Sequence, residues 1–309
     1  PLLMKNTCGW WRKRWGSMQM PVSGMATAAS MDNVAIQSKS YETLQVTAFV
    51  TGGIEVNGGR VGDPATYFQP VEKSTLQKPG TINIILLIDS DMPPGTLSRA
   101  LVTCTEAKTA ALQELMAGSN YSNGLATGSG TDQTMIIANP HSPLYLESAG
   151  KHSKLGELIG CVVKKAVKDA LKQQSGLSPQ KQHSVLRRIK RFGVEEETIW
   201  QSYREDHAEA IIKAEFLEQL YGIDQDDQLV TYASLYIHLL DQFLWELLTC
   251  EEVMEAGNAI LCLAAGKFGA LCPVIHQPDL KSCLSAWQRL LLNIMEIRTT
   301  NALTGTNHS

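Results

Sequence analysis

An excess of charge of either sign is what this 309-residue chain most lacks. Charged residues make up 19%, below the quarter or so usual for soluble domains, and the net charge is −4. A protein that grips the nucleic-acid backbone normally carries a basic excess on at least one domain, so nucleic acid is not an expected partner. No run approaches the ~20 apolar residues of a membrane span, and no apolar signal-peptide core follows Lys5, Arg12, Lys13 and Arg14. The seven cysteines (Cys8, Cys104, Cys161, Cys250, Cys262, Cys272, Cys283) are odd in number and form no CxxC pair. That pattern predicts reduced, mostly buried thiols. A cytoplasmic protein without a membrane span is the expectation. Pro1 is compatible with a fragment or with a lost leader.

Several motifs are also missing. Neither GxxxxGK[ST] nor GxGxxG occurs, so a nucleoside-triphosphate or dinucleotide site is unsupported. His207, His238 and His276 are too far apart for a metal motif, and no cofactor is expected. No internal repeat is apparent.

What remains is an ordinary apolar content of 44% on a chain long enough for two domains. The predicted division is 1–176 and 177–309. In the first part, Leu44 to Ala48 alternates apolar and polar as a strand does, and with Phe49 and Val50 the run predicts a strand reaching Thr51 before Gly52-Gly53. Asn57-Gly58 fits a type I′ turn. Thr81 to Asp89 is a near-continuous apolar run, which predicts a strand buried on both faces. Residues 134–138 read as a third strand. Leu97, Leu101, Cys104, Lys108, Ala111 and Leu115 keep helical spacing, which predicts a helix over 96–116. A second helix, 153–173, starts at Ser153 as N-cap. The fold class expected is α/β: a central mixed sheet flanked by helices, then an all-helical C-terminal domain.

Helices in that domain are predicted near 195–220, 227–249, 251–266 and 279–298, with Trp200, Trp245 and Trp287 as large packing residues. The basic run 181–191 (Lys181, Arg187, Arg188, Lys190, Arg191) reads as a solvated face. Trp10, Trp11 and Trp15, beside Arg12 to Arg14, read as an amphipathic segment laying its rings on the domain.

Chemistry concentrates in residues 125–157. Thr127-Gly128-Ser129-Gly130-Thr131-Asp132 offers hydroxyls and backbone N–H groups around two glycines, suited to an oxyanion or to a plain tight connection. Past the strand, His152 stands before a helix start, a place that fits a general acid or base as well as an exposed structural histidine. Glu106 either is solvated or points toward such a site.

Ser23 to Ala29, Val46 to Gly53, Thr81-Ile82-Asn83-Ile84, Thr105-Glu106-Ala107-Lys108, Ala126 to Asp132 and His152 to Glu157 together resemble the adenosylcobinamide amidohydrolase family of cobamide salvage. The resemblance covers about 20–175. It implies hydrolysis of the amide joining aminopropanol to adenosylcobinamide, giving adenosylcobyric acid, with the corrinoid as substrate and no cofactor required. By analogy with other amide hydrolases, His152 is assigned as acid or base, with Glu106 or Asp132 orienting it or a water. Thr127, Ser129 and Thr131 are assigned to the oxyanion or to corrinoid amides, and Asn57, Asn83 and Lys154 to substrate binding. Family members are expected to carry a further segment with a glycine pair ahead of this chain's start, and alanine where Gly52 stands. The helical part lies outside the resemblance and offers a surface for homo-oligomers. The alternatives are a non-catalytic corrinoid-binding or regulatory protein with a helical docking module, and a hydrolase of another amide.

Overall fold

The computed structural model describes residues 24–65, 80–207 and 211–304. The tryptophan segment around Trp10 to Trp15 lies outside them. Two compact units are present. The first takes its described residues from 24–57, 80–111 and 128–176, and the second from 58–65, 112–127, 177–207 and 211–304.

The first unit is built on a four-stranded mixed sheet of β1 (Ala35–Tyr41), β2 (Leu44–Gly53), β3 (Thr81–Ile88) and β4 (Gln133–Ala138), in that order. β1 pairs antiparallel with β2, β2 antiparallel with β3, and β3 parallel with β4. Register sets the faces. Val46 lies opposite Ile88, Ala48 opposite Leu86, and Val50 opposite Ile84; all six are buried. The side chains between them point the other way, where Leu87 is 37% and Ile137 42% exposed. This corrects the expectation of burial on both faces of residues 81–89: the apolar run is continuous, but one face only is fully covered.

The covered face receives α2 (Lys154–Ser175), which packs on β1 and β2. Its stripe Leu155, Leu158, Ile159, Val162, Val163, Ala166, Val167, Ala170 and Leu171 is buried. Ser153 caps it as expected, accepting from the Gly156 N–H at 3.1 Å, and Gly176 in the left-handed region ends it (φ 71°). The connection from β3 to β4 runs through α1 (Pro94–Glu114). Asn57-Gly58 does not form the expected I′ turn, since neither residue has positive φ.

The second unit holds the helices α3 (Val185–Ile189), α4 (Glu196–Asp206), α5 (Lys213–Asp224), α6 (Asp227–Leu244), α7 (Cys250–Phe268) and α8 (Leu280–Thr304). The single helix expected over 195–220 is two, because His207 closes α4 in extended backbone (φ −124°, ψ 106°). Trp287 is fully buried and stacks on Tyr236 at 4.9 Å, and Trp200 meets Phe216 at 5.0 Å. Trp245 is 44% exposed and is not the packing residue expected. The basic run is not uniformly a solvated face either: Arg191 pairs with Asp241 at 2.6 Å, both side chains 4% exposed. Cys262 in α7 and Cys272 beyond it form a disulfide, Cα atoms 5.1 Å apart, which corrects the expectation of thiols throughout. The chain reverses between them at Gly269 (φ 65°). No described helix is long and apolar enough to cross a membrane.

Candidate functional site

The tight turn before β4 is organised by one carboxylate. Asp132 accepts from the Ser129 hydroxyl at 2.6 Å, the Ser129 N–H at 3.1 Å and the Ile82 N–H at 2.9 Å, and it pairs with the Lys108 ammonium. The acid thereby joins the turn, the start of β3 and the middle of α1. The Lys108 and Asp132 side chains are 11% and 12% exposed. Gly128 is required here, since a Cβ would overlap the Asp132 carboxylate and stand 2.7 Å from Lys108 Nζ.

A second node is the Gly80 carbonyl. It accepts from Thr131 Oγ1 at 2.8 Å and Asn57 Nδ2 at 3.1 Å. Gly80 has φ 142°, and a side chain would reach within 2.9 Å of Asn57 Cβ, so glycine suits both the backbone and the space. The Thr81 hydroxyl donates to the Thr131 carbonyl at 2.8 Å, and Asn83 Nδ2 donates to the Ala26 carbonyl at 2.7 Å. Asn57 and Asn83 are each 5% exposed. Both therefore spend amide hydrogens on fastening loops. Thr127 stands apart from this network in the second unit, where its hydroxyl accepts from the Val61 N–H at 2.9 Å and its N–H donates to the Gly59 carbonyl at 2.8 Å.

The remaining candidates gather at the N-terminus of α2. His152 is exposed. Glu106 is engaged by Lys151 at 3.1 Å, both side chains half in solvent, and no hydrogen bond or ion pair among the described residues joins His152 to Glu106 or to Asp132. Lys154 pairs with Glu157 at 2.5 Å and lies 4.7 Å from the Tyr41 ring centroid. The hydrogen bond with Glu157 raises the Lys154 pKa and lowers that of Glu157. A cavity of about 420 Å³ opens beside it, lined by Tyr41, Glu42, Tyr145, Glu147, Ser153 and Lys154 among others. The strand and its flanking motifs are thus divided: Asp132, Ser129, Thr131, Asn57 and Asn83 meet at the start of β3 and β4, while His152, Glu106 and Lys154 lie around the start of α2.

Lys108 is the residue that sequence reading passed over. It occupied a place in the apolar stripe of α1, between Cys104 and Ala111, both fully buried. A lysine in such a stripe implies a buried acidic partner, and that was the available signal. Burial pushes the neighbouring Cys104 thiol up to about 12, with Lys108 pulling the other way. Among the described residues no group of three or more His, Cys, Asp or Glu is placed to hold a metal ion.

A family model described as adenosylcobinamide amidohydrolase matches residues 8–179. An uncharacterized protein of Methanocaldococcus jannaschii is 35% identical over 170 residues, covering 52% of this chain and 66% of the relative. The chain therefore spans just under two thirds of that relative's length. No solved structure matches.

Proposed function

The chain belongs to the adenosylcobinamide amidohydrolase family, and on that basis we propose that it cleaves the amide linking aminopropanol to adenosylcobinamide, releasing adenosylcobyric acid for reuse. The observation that carries this reading is the family match over 8–179, which encloses every candidate residue. The geometry that supports it best is the turn Gly128 to Asp132. It gathers a lysine, a carboxylate and two hydroxyls in a partly buried place. Such groups suit a substrate rich in amides and a carbonyl that must gain negative charge.

Within this proposal Asp132 positions rather than transfers protons, because its oxygens already accept from Ile82, Ser129 and Lys108. Ser129 and Thr131 meet substrate amides, and Asn57 and Asn83 hold the loops that shape the turn. His152, exposed at the start of α2, is the proposed acid or base, with Lys154 contacting the corrinoid periphery. Glu106 acts through Lys151.

The same filling of Asp132 supports a second reading, a corrinoid-binding protein without catalysis. Incubation of the pure protein with adenosylcobinamide, followed by chromatography of the corrinoids, separates the two. Adenosylcobyric acid is the expected product. Bound but unchanged corrinoid favours the second reading, and neither binding nor product points to another amide.

A further inference from the structure

The cavity of about 420 Å³ beside the start of α2 has an apolar floor and a polar wall. Leu44 and Leu155 form the floor, 5% and 2% exposed. On one side stands the two-residue turn Glu42-Thr43, closed by the pairing of Tyr41 with Leu44. Glu42 has φ 51°, left-handed backbone that glycine adopts freely and glutamate seldom does, so its carboxylate stands at the rim against the local preference of the chain. On the other side Asp91 lays out residues 144–146 as extended backbone. Its N–H donates to the Leu144 carbonyl at 2.8 Å, and its carbonyl accepts from the Leu146 N–H at 2.9 Å. Alternation along such backbone leaves Leu144 and Leu146 half-buried and turns Tyr145 and Glu147 outward.

Among the described residues no hydrogen bond or ion pair engages Glu42, Glu147 or the Tyr145 hydroxyl, whereas Lys154 is already held by Glu157 and the Tyr41 ring. Ionised carboxylates only accept, so a ligand here must bring N–H or O–H donors. Tyr145, 53% exposed, offers a ring face for a second flat ring. The volume lies at the small end of the about 300–1,000 Å³ usual for ligand pockets, so the cavity takes one projecting group and not a whole corrinoid.

We propose that this cavity binds the adenosyl group of the substrate: adenine lies on Tyr145, and the carboxylates of Glu42 and Glu147 accept from the adenine amino group and the ribose hydroxyls. The inference rests on the corrinoid substrate proposed above and names the part of the site that recognises its nucleoside. A flat base with an amino group, joined to a sugar with two neighbouring hydroxyls, supplies the ring and the donors that this wall calls for. Ser153 lines the cavity and follows His152 directly. A nucleoside seated here therefore lays the rest of the corrinoid across the start of α2, where His152 is exposed.

The test compares adenosylcobyric acid with methylcobyric acid, which keeps a cobalt–carbon bond and lacks the nucleoside. Neither carries the amide to be cleaved, so dissociation constants can be read by equilibrium dialysis in the dark. Wild type is expected to hold the adenosyl compound at least about tenfold more tightly. Tyr145→Ala removes about tenfold of that preference, as loss of one stacked base should. Glu42→Gln/Glu147→Gln keeps both shapes but not the charges that strengthen the hydrogen bonds, and removes about tenfold as well. Affinity for methylcobyric acid stays close to wild type in both. All three positions are exposed, so the variants are expected to fold, with melting temperature as the check. Equal wild-type affinity for the two compounds overturns the inference, as does an equal loss of both in the variants, even where the protein converts adenosylcobinamide. A preference that disappears in the variants of a protein making no adenosylcobyric acid upholds the inference and defeats the hydrolase reading alone.

Discussion

Asp132 and His152 look alike in the sequence, two polar residues flanking one short strand, and the structure gives them opposite situations. Asp132 is the partly buried acceptor for Lys108, Ser129 and Ile82. His152 is exposed, with no side-chain partner among the described residues. Their substitutions should therefore separate. Asp132→Ala strands a buried ammonium and is expected to cost about 3–5 kcal/mol of stability, seen as a lowered melting temperature. His152→Ala is expected to stay within about 0.5 kcal/mol of wild type yet lose about 10²–10⁴-fold in turnover; full turnover would take His152 out of the chemistry. The sequence made the hydroxyls and the acid of the turn readable because glycine and hydroxyl residues cluster there. It did not make Lys108 readable as a site residue, because a single lysine in an apolar stripe looks like one mismatch until its partner, 24 residues away, is placed beside it.

At the scale of elements, α2 was legible from both its ends. Ser153 and Gly176 are residues whose local chemistry starts and stops a helix, whatever surrounds them. β1 was not. Of Ala35–Tyr41 only Ala35 is buried, and a polar edge strand carrying Lys39 has no alternation to detect. The two-faced reading of β3 failed for a related reason: an apolar run records that side chains are apolar, whereas the face that is covered depends on which side α2 occupies. Two glycines, one on β2 against α2 and one in the first turn of α2 itself, test this packing. At Gly52 a Cβ would meet Ile82 and Leu171 at 3.5 Å, ordinary contact, so Gly52→Ala is expected to raise stability by about 0.4–1 kcal/mol. This agrees with the alanine that the family resemblance leads one to expect there. At Gly156 a Cβ would collide with the Gly150 carbonyl oxygen. Gly156→Ala is expected to cost about 3 kcal/mol or more, and thermal melts of the two variants should move in opposite directions.

At the scale of the whole molecule, the second unit draws on two stretches that precede its helices in the chain, 58–65 and 112–127 among the described residues. Gln182 donates to the Leu115 carbonyl at 2.7 Å. Arg191 donates to the Asn123 carbonyl and closes its ion pair on Asp241. Composition gave no hint of this. A basic run reads as solvated because nothing local distinguishes Arg191, which turns inward, from exposed Arg187 and Lys190. Arg191→Met is expected to cost about 3–5 kcal/mol by leaving Asp241 buried and unpaired, while Arg191→Met/Asp241→Leu should restore much of it. Chemical denaturation of the three proteins would decide, and equal loss in the single and double variants would show that Asn123 is the partner that counts.

That ancestry of the second unit has a temporal side. A nascent chain lengthens at about 5–20 residues per second, so residues 112–127 leave the ribosome several seconds before Gln182 and Arg191 exist to receive them. Until then the Leu115 and Asn123 carbonyls lack the donors Gln182 and Arg191, while Asn120 and Ser119 already find Gly58 and Asp63. Slow codons or a stall between 127 and 191 would lengthen that interval. A slower passage through that stretch is then expected to raise the aggregated fraction, read by sedimentation of the freshly made protein.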